Sequence, residues 1–176
     1  MRATSVRPTG VERLLGPDQL IVSKTDVKGV ITYANEVFCA MAAMPEEELI
    51  GQPHNIIRHP DMPRCVFKLL WDTLEAREEV FAYVVNLAAD GAHYWVLAHV
   101  TPTVDRAGQV VGYHSNRRSP DRHAVATVTD VYAALLAEEQ RHDRTQDAIA
   151  AGSRLMADVL TGRRQTYDEF FWSVTP

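Results

Sequence analysis

Between Gly51 and Pro63 the sequence reads Gly-Gln-Pro-His-Asn-Ile-Ile-Arg-His-Pro-Asp-Met-Pro, placing three prolines among thirteen residues. Each proline fixes φ, lacks an N–H donor and pushes the residue before it toward extended backbone, so no regular helix runs through this stretch. The helix-like segments on either side are therefore separate elements meeting at a stiff loop. That loop also carries His54, Arg58, His59 and Asp61. A rigid, polar, charged loop between apolar elements has the makings of a ligand-binding edge.

The flanking pattern defines the fold class. Leu20–Lys24 and Val30–Tyr33 are short β-rich runs joined by Thr25-Asp26-Val27-Lys28-Gly29, which has turn chemistry and predicts a hairpin. Asn35 opens a helical pattern through Phe38, Met41 and Met44. A second short helix begins at Met44-Pro45-Glu46-Glu47-Glu48, where proline and acids suit an N-terminus, and stops at Gly51. Residues 63–77 carry Val66, Phe67, Leu70, Trp71 and Leu74 at helical spacing. Three strands follow: 80–88 and 92–103, joined by Asp90-Gly91, then 109–117 after the turn at 105–108. The sum is an α+β chain, a five-stranded antiparallel sheet with helices on one face. A cavity between sheet and helices is where such layers hold a small molecule.

Three segments are expected: an N-terminal arm over residues 1–17 with a short helical turn, a domain over 18–118, and a long helical tail over 119–176. The tail has an apolar stripe (Val125, Val128, Val131, Tyr132, Leu135, Leu136), a charged middle from Glu138 to Asp147, and a resumed stripe at Leu155, Met156, Val159 and Leu160. Its last segment, Tyr167 to Trp172, is too aromatic to be left in water and needs a partner surface. That surface is either another protein, a second copy of the chain, or the chain's own sheet.

Composition narrows the function. The chain has 176 residues, a net charge of −5 and no lysine- or arginine-rich block, which disfavours nucleic acid as a partner. No apolar stretch is long enough to span a bilayer and the N-terminus lacks a secretory apolar core, so the expected location is the cytoplasm. Cys39 and Cys65 match no metal or redox spacing and read as buried, inert thiols. No nucleophile–base pair or metal cluster stands out, so no enzyme activity is expected.

The stretch Tyr33-Ala34-Asn35-Glu36-Val37-Phe38, the loop from Gly51 to Pro63, Trp71 and the strand His93-Tyr94-Trp95-Val96 together resemble the FAD-binding PAS domain of bacterial aerotaxis receptors. The similarity covers roughly residues 18–118. It implies a PAS fold with a C-terminal helical extension, non-covalent FAD as cofactor, and a redox or oxygen-status sensor that signals by conformational change. Val85-Asn86-Leu87 and the strand at 94–96 are also similar to the flavin-contacting strands of LOV photosensors. The position of the LOV reactive cysteine falls near His54, so redox cycling is expected rather than a photo-adduct. Two departures are visible. Val80-Phe81 stands where the aerotaxis pattern usually has tryptophan, and residues 119–176 are not expected to form the long coiled-coil signalling module. Output is therefore expected to pass through the tail to a chemoreceptor, kinase or regulator, or through a homodimer.

The resemblance assigns roles to ten residues. Arg58 grips a phosphate as a bidentate donor. His54 and His59 belong to the cofactor loop, with His59 toward phosphate, ribose or adenine. Asp61 orients Arg58 or His59 or accepts from a ribose. Asn86, and similarly Asn35, offers donor and acceptor to the ring's polar edge. Phe67, Trp71, Tyr94 and Val96 wall the ring. Plainer roles stand beside these: Asn35 and Asp61 as helix caps, Phe67 and Trp71 as core, Arg58 as a solvated charge, and His93, His99 and His114 as ordinary sheet residues. A haem-binding oxygen sensor using His54, His59, His93 or His114 as axial ligand is the second functional reading. A cofactor-free interaction module is the third.

Overall fold

The computed structural model describes residues 6–176. Five strands, β1 (Ile21–Thr25), β2 (Ile31–Ala34), β3 (Val80–Leu87), β4 (His93–Val104) and β5 (Val110–Arg118), form one antiparallel sheet in the order β2-β1-β5-β4-β3. The turns have the chemistry the sequence predicts. Asp26 Oδ1 accepts from Lys28 N and Val30 N at 2.8 and 2.9 Å, and Asp105 Oδ1 does the same for Ala107 N and Gln109 N.

Before β3 come the short helices α1 (Glu36–Ala42) and α2 (Glu46–Leu49), a single 3-10 turn at His54–Ile57 within the proline-rich loop, and α3 (Arg64–Glu75). Pro53 and Pro63 immediately precede the 3-10 turn and α3, where a missing N–H costs least. Part of the core lies between these helices and one sheet face. Phe38, Leu49, Ile57, Met62, Val66, Tyr94 and Val96 are at most 2% exposed.

The arm departs from expectation. No helix occurs in residues 6–17; they run alongside the β3–β4 turn instead. Thr9 N donates to Gly91 O at 2.9 Å, Arg13 N to His93 O at 2.7 Å, and Leu15 is buried. Residues 1–5 of the expected arm lie outside the described residues. The expected helical tail consists of three helices, α4 (Arg122–Glu139), α5 (Thr145–Arg163) and α6 (Tyr167–Val174). Asp121 caps α4, and a Thr166–Glu169 capping box starts α6. The charged middle is the elbow between α4 and α5, where Glu138 binds Arg141 and His142.

The apolar stripe of the tail is spent within the chain. α4 and α6 pack on the sheet face opposite α1–α3, with Tyr132 beside Trp95 and Phe171 against Phe81 and Tyr83. The aromatic segment expected to need a partner surface finds it in β3, with Phe170 and Phe171 buried while Trp172 is 53% exposed. Strand β3 is an edge, and unpaired edge carbonyls invite foreign strands. Here Tyr132 Oη donates to Tyr83 O at 2.8 Å and Tyr167 Oη to Phe81 O at 3.0 Å. Among the described residues no helix is long and apolar enough to cross a membrane.

Candidate functional site

Strand alternation sets what faces the helical layer. Ala98 and Val100 of β4 share a face with Val84 and Asn86 of β3, through the pairs Asn86↔Tyr94 and Ala82↔Ala98. Register with β5 brings Tyr113, Ser115 and Arg117 to the same side, and register with β1 adds Ser23 and Thr25. Opposite them stands α3 with Phe67, Leu70, Trp71 and Leu74, and one end is closed by the loop residues Pro53, His54, Asn55, Ile57 and Arg58. The result is a cavity of about 390 Å³. Its α3 wall is apolar and its sheet wall mixes apolar with polar side chains, a common design for organic cofactor sites.

The charge on its wall is one-sided. Lys28, Arg58 and Arg117 line it and no carboxylate does, in a chain with five more acids than bases. Arg117 is 5% exposed. Its Nη2 donates to His54 Nε2 at 2.6 Å and to Ser23 Oγ at 3.2 Å, and its guanidinium lies over the Phe38 ring at 5.3 Å. Burial pulls its pKa down to about 10. His54 must be the acceptor. Burial, then the charge of Arg117, holds its imidazole well below the ordinary value.

Four buried polar atoms of the wall have no hydrogen-bond partner: Thr25 Oγ1, Asn86 Nδ2, Ser115 Oγ and Arg117 Nη1. Unpaired buried polar groups cost about 1–3 kcal/mol each, so four around one cavity mark where a ligand's polar atoms are expected.

Of the ten residues singled out from the sequence, the fold brings His54, Arg58, Phe67, Trp71 and Asn86 onto this wall. Arg58 donates to Met62 O at 3.0 Å and lies 5.1 Å over the Phe67 ring; burial and the neighbouring Arg64 lower its pKa. It is not a free surface charge. Trp71 meets Tyr113 edge-on at 5.3 Å.

The other five are placed elsewhere. Asn35 caps α1 at Phe38 N and ties β1 through Val22 N and Leu20 O, the plainer of its two roles. Tyr94 and Val96 are wholly buried in the core and do not line the cavity. His59 is buried beside His93, with Nδ1 accepting from Asp61 N at 3.1 Å, and lines a second, open cleft of about 1330 Å³ between the loop and the tail. Asp61 is exposed, 3.7 Å from His59, and does not cap α3. Pro53, Asn55 and Arg58 line both spaces, so the loop joins them.

Ser23, Thr25, Lys28, Tyr113, Ser115 and Arg117 are wall residues that the sequence reading did not single out. The period-2 pattern of β5 would have put Tyr113, Ser115 and Arg117 on one face. An arginine on an inward register is a local rule broken, as happens at functional sites. Neither thiol lines this wall. Burial, then Glu139, pushes Cys65 up to about 12, while Cys39 is half-buried rather than buried.

Relatives share this architecture. The aerotaxis receptor of Escherichia coli (strain K12) is 41% identical over 121 residues, covering 69% of this chain and 24% of the receptor. The nitrogen fixation regulatory protein of Klebsiella pneumoniae is 30% identical over 97 residues, 55% of this chain and 20% of that protein. This chain therefore spans about a quarter or less of the length of these relatives. Among solved structures, a light-oxygen-voltage domain superposes with a TM-score of 0.55 at 20% identity, covering 70% of this chain and 88% of that one. The light state of the Aureochrome1 LOV domain gives 0.54 at 23% identity, covering 71% and 94%. The family model for the PAS fold matches residues 21–115, which contain every helix that encloses the cavity and all five strands of the sheet except the last three residues of β5, and the chain belongs to the PAS-fold family.

Proposed function

We propose that the cavity holds the isoalloxazine ring of a flavin, FAD, and that the chain is a redox sensor of the aerotaxis type. The observation that carries this reading is the wall itself: apolar faces from α3 and β4, three cations without a carboxylate, and four unpartnered buried polar atoms. A flavin is flat and apolar on its faces and rich in acceptors along one edge. Phe67, Leu70 and Trp71 would cover one face, Val84, Ala98 and Val100 the other. Asn86 Nδ2, Ser115 Oγ and Arg117 Nη1 would meet the edge. The similarity to an aerotaxis receptor, and to a light-oxygen-voltage domain whose study concerns a flavin analogue, supports the same ligand. FAD rather than a mononucleotide is favoured because Arg58 sits where the cavity opens into the outer cleft, within reach of a diphosphate.

When bound, the flavin supplies reversible uptake of electrons and protons. The chain's part is to bind it, exclude water and sense the change in hydrogen bonding at its edge. Output goes to a partner signalling protein or a second copy of the chain, since a sensor works only if its two states differ in interaction with the ligand.

The purified full chain, or the chain reconstituted with FAD, should show flavin absorbance, and chromatography of the released cofactor should identify FAD. A colourless protein that takes up no flavin, or a Soret band in its place, overturns the reading. Asn86→Ala should weaken FAD retention by roughly tenfold, the effect of about 1.4 kcal/mol.

A further inference from the structure

Helix α3 walls the cavity with four side chains, yet its N-terminus is held from outside the domain. Pro63 precedes it and offers no side-chain acceptor for the first free N–H groups. Glu139, the last residue of α4, supplies both acceptors. Its carboxylate accepts from Arg64 N at 2.9 Å and from Cys65 N at 2.8 Å. The residue is 4% exposed. Its charge also suits the positive end of the helix dipole.

The socket is closed by α5. A Cβ on Gly152 would stand 2.8 Å from Glu139 Oε1 and 3.0 Å from Cys65 Sγ, so only glycine lets α5 approach α3 here. Arg64 Nη1 adds a contact to Thr145 Oγ1 at 3.3 Å, at the first turn of α5. Glu139, Arg64 and Arg58 also line the outer cleft together. One carboxylate thus ties the elbow of the tail to the helix whose other residues touch the ligand space.

We propose that Glu139 is a positioning residue that couples the redox state of the ligand to docking of the α4–α5 elbow; this rests on the flavin reading above. A ligand change that displaces α3 disturbs two hydrogen bonds whose acceptor is fixed in a tight, buried socket. Tail docking and redox state are then thermodynamically linked. Whatever factor the redox state applies to docking, loss of docking applies to the redox equilibrium. A simple helix cap would make no such link.

The test uses the flavin-loaded full chain and two variants that attack the socket from opposite sides, Glu139→Gln and Gly152→Ala. Glutamine keeps the size of the side chain while losing its charge and one acceptor. Hydrogen exchange over residues 145–163 is measured in the oxidised and reduced protein, and the midpoint potential by redox titration of flavin absorbance. In the unmodified chain, protection of α5 should differ between the two states by about fivefold or more. Both variants should erase that difference and shift the potential by the same factor, tenfold corresponding to about 30 mV for a two-electron couple. Equal protection of α5 in both states of the flavin-loaded protein overturns the coupling and leaves the flavin reading intact. So does a variant with a released α5 and an unchanged potential. A chain that binds no flavin removes both.

Discussion

Replacing Arg117 with methionine separates a ligand-binding cation from a structural one. In the cavity wall its guanidinium has His54 and Ser23 as partners and no carboxylate beside it. Burial lowers its pKa to about 10. A base with a lowered folded pKa disfavours the folded state at every pH below that value, and the penalty is relieved only as pH rises from about 10 toward the ordinary arginine range. At neutral pH the whole penalty applies, roughly 3 kcal/mol at about 1.4 kcal/mol per pH unit. Methionine fills irregular space without a charge. His54 Nε2 would lose its donor, but Ser23 Oγ lies 3.1 Å away and can donate instead, limiting the loss to about 1 kcal/mol.

The apoprotein should therefore be as stable as the parent or more stable by about 2 kcal/mol, the difference of those two figures. Flavin binding should lose a charge-assisted hydrogen bond worth about 1.5–3 kcal/mol, or about 10- to 150-fold in Kd. Urea unfolding of the apoprotein and a flavin titration of the same sample read the two effects. An apoprotein destabilised by more than about 2 kcal/mol with unchanged flavin affinity would falsify the reasoning.

Two further perturbations test the geometry. His54 is held neutral by burial and by Arg117, with its folded pKa below the unfolded value of 6.5, so its contribution is complete above about pH 6.5 and lost as pH falls. The urea midpoint should drop below that pH at up to about 1.4 kcal/mol per pH unit, and His54→Gln should flatten this slope between pH 7.5 and 5.5; an unchanged slope sinks the assignment. Gly112→Ala places a Cβ 2.2 Å from Thr25 O, where β5 runs beside β1, and overpacking against backbone should cost about 2–3 kcal/mol. Thermal melting should fall by roughly 4–12 °C, and a melt within about 1 °C of the parent would show that the strands yield.

What could be read from the sequence follows from local rules. Strand alternation, Asp-Gly and Asp-turn chemistry and the proline-rich loop each act over a few residues, and they placed five strands, the α3 helix and the loop correctly. The resemblance around Arg58, Asn86 and Trp71 reached the cavity because those positions lie on the loop, on an inward strand register and on the inward face of α3. Asn35 looked equally like a cap and a ligand, since one amide serves both until the β1 backbone is seen beside it.

The remainder depended on partners distant in sequence. Arg117 becomes a buried cation only through pairing of β5 with β1 and the approach of His54, 63 residues earlier. Glu139 reads as the start of a charged, solvated stretch until α4 carries it 74 residues back to the amide of Cys65. The aromatic tail announced a need for burial but not its location, because its stripe fits any apolar surface. Sequence alone determined which segments are strands, helices and stiff loop, since backbone sterics and periodicity are local. Only the tertiary structure decided which polar groups lost their water, and burial, set by distant neighbours, is what gives a cation or carboxylate its function.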